Sequence, residues 1–148
     1  MTSLIDIVSY LPKVNEVMLL KNVDGIIHEE SIIEIQYIST VNWILGHIVL
    51  TRFQLLNNNL GNSNFDISSL QDVYDRGTFF NLNSNFLRFE ELLDLFKSTH
   101  EAITTGLKNS ELDEKQLKTV IFLFQHESYH IGQIGLLRKL LGKESSFK

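Results

Sequence analysis

The chain reads as all-α: a four-helix bundle with a long crossover between its second and third helices. Three observations predict this. Four segments space their apolar residues by three and four, no segment reads convincingly as a strand, and the 148 residues hold one proline, Pro12. The length fits a single domain over residues 1–148 and is enough to bury a core.

The first helix carries Leu4, Ile7, Leu11, Val14 and Met18 on one face, with a kink expected at Pro12 and a stop at Asp24-Gly25. The second is expected to start at Ser39-Thr40, where a hydroxyl accepts from an unpaired helical N–H. Its stripe is Val41, Ile44, Leu45, Ile48 and Leu55, and Asn57 to Gly61 ends it. Residues 60 to about 87 have the weakest pattern, with asparagines clustered again from Asn81 to Asn85. A structureless loop of that length is uncommon in a compact domain, so a turn of helix and an end-to-end crossing are expected. The third helix runs from about Phe89 to Leu107 on Leu92, Leu95, Phe96, Thr99, Ile103 and Leu107, with Gly106 and Asn109 near its stop. The fourth starts at Asp113, with Gln116 completing a capping box, and runs to Leu141 and Gly142. Leu117, Val120, Ile121, Phe124, Ile131, Ile134, Leu137 and Leu141 make its apolar side so broad that it has room for a second subunit beside its own bundle.

Composition narrows the function. The chain is 43% hydrophobic and 21% charged, with 13 Lys and Arg against 18 Asp and Glu, a net charge of −5. Without a basic run it is not expected to bind nucleic acid. No cysteine is present, which rules out disulfides, thiolate ligands and cysteine nucleophiles. The N-terminus does not read as a signal peptide, and no apolar stretch is long enough to span a bilayer. A cytoplasmic location without membrane attachment is the default expectation.

The chemistry rests on histidine. His126 and His130, four apart, stack on one helical face, where two imidazoles can share a metal ion. A pair at that spacing is common by chance, and taken alone it reads better as a half-exposed face or as core histidines bonded to carbonyls. His47 adds a third imidazole from a nearly apolar stretch, costly to bury unless both nitrogens find partners. Three imidazoles on two helices predict one divalent metal with a position left open to water or substrate. Helical spacing places Trp43, Thr51, Phe122 and Gln133 around a mainly apolar pocket. Glu127 reads either as a carboxylate orienting a ligand histidine or as a surface salt bridge. His28 and His100 read as structural or solvated, and no catalytic residue is assigned.

The run His126-Glu127-Ser128-Tyr129-His130-Ile131-Gly132-Gln133-Ile134, followed by Leu136-Leu137-Arg138 and Leu141-Gly142, resembles the last-helix motif of the DinB/YfiT-like proteins. Trp43-Ile44-Leu45-Gly46-His47-Ile48, with Arg52 and Leu60-Gly61, resembles their second-helix motif, and Glu90-Glu91-Leu92 is similar to the start of their third helix. The resemblance implies the crossover bundle, a homodimer, and zinc or nickel held by His47, His126 and His130. It implies either a thiol-dependent S-transferase or isomerase using a low-molecular-weight thiol such as bacillithiol or mycothiol, or a metal-dependent hydrolase, acting on a small molecule. The alternative reading is a non-catalytic, stress-related metal- or ligand-binding protein.

Overall fold

The computed structural model describes residues 3–36, 38–62, 64–78 and 85–147, and the expectations that fall on residues 79–84 lie outside them. Helices α1 (Leu4–Val8), α2 (Leu11–Val23), α3 (His28–Ser31), α4 (Val41–Asn59), α5 (Ser68–Tyr74), α6 (Phe89–Asn109) and α7 (Glu114–Leu140) follow in order. The fold is all-α. Among the described residues the one β feature is an isolated bridge between Ile35 and Ile38, and no helix is long and apolar enough to cross a membrane.

Local chemistry sets the helix ends. Pro12 has no N–H to give the Val8 carbonyl, so α1 closes at Val8 and α2 restarts with proline in its first turn. The Thr40 hydroxyl accepts from Trp43 N at 3.1 Å and opens α4. Asp113 and Gln116 cap one another's backbone at 2.7 and 2.9 Å and open α7. Gly142, at φ +78°, takes the left-handed conformation just past the end of α7.

Long-range bonds give the helix directions. Asn15 Nδ2 donates to the Phe124 carbonyl and Asn22 Nδ2 to the Ile131 carbonyl, both at 3.0 Å. Seven residues forward on α2 match seven forward on α7, so these helices run parallel. Asn42 bonds to the Leu87 carbonyl, just before α6, Arg52 to Thr99, and Leu60 packs on Gly106, so α4 and α6 also run parallel. Two parallel helices joined in sequence require a return along their length, and α5 lies against α4 on that return. Gly46 permits the contact, since a Cβ there would stand 2.2 Å from the Tyr74 ring. Every residue of α4 from Val41 to Leu50 is buried, as expected of the central helix.

One detail of the expected pattern changes. The buried seam of the first segment is Val8, Pro12, Asn15, Leu19 and Asn22, about one residue away from the apolar stripe. Leu4 and Ile7 are 57% and 58% exposed, and Leu11, Val14 and Met18 are half-buried. The break before α2 and the pull of two asparagines toward α7 carbonyls turn the helix to this face. Gly106 and Asn109 stand near the stop as expected, α6 ending at Asn109, and Gly106 admits Leu60.

Candidate metal centre

Helices α4 and α7 cross in opposite directions, with His47 facing His126 and His130. Ring centroids are 5.4 Å apart for His47–His126, 5.0 Å for His47–His130 and 4.4 Å for His126–His130. One donor nitrogen from each imidazole lies within 4.8 Å of the other two. His126 Nε2 and His130 Nε2 are 3.0 Å apart. Two nitrogens on one tetrahedral ion at 2.0–2.1 Å stand about 3.3–3.4 Å apart, so the observed pair is close to the separation a shared ion requires.

Hydrogen bonds at the outer nitrogens decide which nitrogens can bind an ion. His47 Nδ1 lies 2.8 Å from the Tyr74 carbonyl, which can only accept. Nδ1 therefore carries the proton and Nε2 keeps its lone pair. His130 Nδ1 donates in the same way to Gln133 Oε1 at 2.7 Å, and Gln133 Nε2 donates to the Tyr129 hydroxyl at 3.1 Å. With His130 Nδ1 protonated, its Nε2 accepts from His126 Nε2, and ion binding requires that last proton to leave His126 Nε2. This is the outer-bond pattern that orients histidine ligands.

The site favours neutral imidazoles. Burial lowers the His130 pKa to about 4, and the neighbouring His126 and His47 act in the same direction. His126 is also lowered, first by burial, then by His47 and by the positive charge of Arg76. A neutral imidazole is the form that binds a metal.

The surrounding residues divide. Trp43 stacks on His47 at 5.1 Å and 6°, its Nε1 donating to Thr78 Oγ1 at 2.9 Å. Gln133 holds His130 as described. Phe122 stacks on His126 at 6.4 Å but is 64% exposed, so it stands at an open rim and does not line an enclosed apolar pocket. Thr51 turns its hydroxyl to the Ile48 carbonyl at 2.9 Å and borders a cavity of about 10 Å³ beside Arg52 and Glu127.

Glu127 fits neither expected role. Its carboxylate takes Arg52 Nε at 2.7 Å and Nη2 at 2.8 Å, a two-point ion pair with both residues 2% exposed. Arg52 Nη1 also donates to Thr99 Oγ1 at 3.1 Å, and the guanidinium lies 3.9 Å over the Phe96 ring. Glu127 thus ties α7 to α4 through Arg52. A signal for the pair was present: an arginine in a helix as apolar as α4 needs an anion. The partner is 75 residues away in sequence, and nothing local names it.

The remaining histidines stand outside the cluster. His28 Nδ1 accepts from Phe89 N at 3.1 Å, filling a free donor at the start of α6. His100 Nδ1 lies 3.0 Å from Glu16, joining α6 to α2. Tyr74, whose carbonyl sets the His47 proton, carried no signal in the sequence, because a backbone acceptor has none. No protein-family model matches this chain, and neither a curated protein nor a solved structure matches it.

Proposed function

We propose that the chain is a DinB/YfiT-like four-helix-bundle protein that binds one divalent metal ion, zinc or nickel, through His47, His126 and His130. We further propose that it uses the open position for thiol-dependent S-transfer or hydrolysis on a small molecule. The observation that carries this reading is the convergence of three imidazoles, two of which, His47 and His130, are bonded at their outer nitrogens so that their Nε2 lone pairs face the cluster. A satisfied core histidine would spend both nitrogens on fixed partners; His47 spends one.

A divalent ion there supplies a Lewis-acid position at which a bound water or thiol is acidified. The protein's own part is to hold that position. Tyr74 and Gln133 fix two imidazoles, Trp43 covers one face of His47, and the Arg52–Glu127 pair sets α7 against α4. Three neutral ligands leave the ion's charge uncompensated, which favours an anionic donor. A thiol brought by the substrate answers that need in a chain without cysteine.

Metal analysis of untagged protein tests the reading. One equivalent of metal is expected, and none in His126→Ala. Stoichiometric metal that survives the substitution would overturn the site. Loaded protein would then be screened with low-molecular-weight thiols against electrophiles. Metal uptake with no turnover would reduce the function to metal or ligand binding. A homodimer belongs to the same proposal, supported by the exposed seam Phe122, Tyr129, Leu136 and Leu140 on α7. Sedimentation of Leu136→Glu tests it, with a shift to monomer expected.

A further inference from the structure

The loop after α5 is pinned to α4 at two points one helical turn apart. The Tyr74 carbonyl accepts from His47 Nδ1 at 2.8 Å, and Thr78 Oγ1 accepts from Trp43 Nε1 at 2.9 Å. Between these anchors Gly77 turns the chain at φ +88°. Arg76 sits in this short span, exposed, two residues from the carbonyl that holds His47. Two residues of chain reach at most about 7 Å, so the Arg76 backbone stays near the Tyr74 carbonyl that holds His47.

The guanidinium has no hydrogen-bond or ion-pair partner among the described residues. Of the carboxylates nearest in sequence to this loop and to the ligands, Asp75 is turned to its own backbone and Glu127 is charge-paired. Asp75 Oδ1 accepts from the Arg76 backbone N–H at 2.7 Å, and Glu127 is neutralised by Arg52. An ion among three neutral imidazoles would add its charge to that of Arg76, whose guanidinium has no ion pair among the described residues. Two such charges suit a ligand with two anionic positions.

We propose that Arg76 is an anion-recognition residue of this site, binding a carboxylate or similar group on a substrate whose donor atom takes the open position beside the histidines. The inference rests on the metal-site reading above and adds the class of substrate. An arginine that is merely solvated would give no ligand preference.

The test uses full-length, untagged protein loaded with cobalt(II), whose visible spectrum reports both metal and ligand. The probes are 3-mercaptopropionate and its methyl ester, which has the same thiol without the carboxylate charge. The acid is expected to perturb the spectrum at about tenfold lower concentration than the ester, the scale of one charge-assisted bond. Arg76→Gln should bring the two probes level while leaving one equivalent of cobalt bound, and Arg76→Lys should keep part of the preference. Raising the salt should shrink it. Equal response to both probes in the unaltered protein, or a preference that survives Arg76→Gln, would overturn the inference while leaving the metal site standing. Failure to bind stoichiometric cobalt would overturn the metal reading, and the inference with it.

Discussion

Helix α7 meets its two main neighbours in opposite ways. Toward α2 it runs parallel and is held by asparagines seven residues apart, each giving its amide to an α7 carbonyl. Their side-chain oxygens are used as well: Asn15 Oδ1 accepts from Ser128 at 2.8 Å, and Asn22 Oδ1 from Ser146 at 2.5 Å. Toward α4 it runs antiparallel and is held by a buried ion pair beside three histidines. On the α2 side the polar groups complete one another. On the α4 side Tyr74 and Gln133 hold the outer nitrogens of His47 and His130, while the inner nitrogens converge on one another, His126 Nε2 on His130 Nε2 at 3.0 Å. Buried polarity that closes on itself is scaffolding; buried polarity that leaves lone pairs aimed at one point is a site.

The largest break in this contrast should come from Glu127→Ala. It leaves the Arg52 guanidinium buried without its partner, a change that costs about 3–5 kcal/mol. Chemical denaturation of metal-free protein measures it, and a cost under about 1 kcal/mol would mean that water reaches the pair. The double variant Arg52→Met/Glu127→Leu sharpens the point. It should recover most of the stability, because the charges disappear together, and still bind metal more weakly. Full metal affinity in that variant would mean that the pair does not set the imidazole geometry.

Removing a ligand should act differently from removing a scaffold residue. Metal at 100 times its Kd adds about 2.7 kcal/mol to a protein that binds it only when folded. His126→Ala should lose that increment and leave metal-free stability nearly unchanged. Paired melts with and without zinc give the comparison. Asn22→Ala is the converse. It should cost about 1 kcal/mol, the net worth of one hydrogen bond, with metal stoichiometry unaltered. An asparagine substitution that abolished metal binding would make the two faces of α7 a single unit.

The same contrast separates what the sequence disclosed from what it hid. Thr40, Asp113 with Gln116, Pro12 and Gly142 act within a turn or two of themselves, and each was legible as a start, a break or a stop. His47, His126 and His130 were legible as a set because imidazoles are rare in apolar helical stretches and their spacing is periodic. The seam of α2 was not legible: Asn15 and Asn22 look solvated until carbonyls 109 residues away receive them. Glu127 was misjudged for the same reason, its partner being on another helix. Arg76 left no mark, since a lone arginine in a turn acquires meaning only from where Tyr74 and Thr78 pin the loop.

Acid should separate the two faces of α7 without a substitution, because His126 and His130 titrate on one face and the asparagines on the other do not. Burial sets the folded His130 pKa at about 4, below the 6.5 of an ordinary histidine, and lowers His126 as well. The unfolded chain therefore takes up protons first as the pH falls. The contribution of these imidazoles is complete above about pH 6.5 and is lost progressively toward pH 4, so metal-free stability rises with pH across that window. His130→Gln removes one of the titrating groups and should flatten this acid limb, whereas Asn22→Ala should lower stability by the same amount at every pH. The depressed pKa also predicts that metal uptake persists at pH 5.5, where an exposed histidine pair is mostly protonated. Denaturation of the two variants between pH 4 and 7 reads the difference. An acid limb left intact by His130→Gln would mean that His130 does not carry the titration.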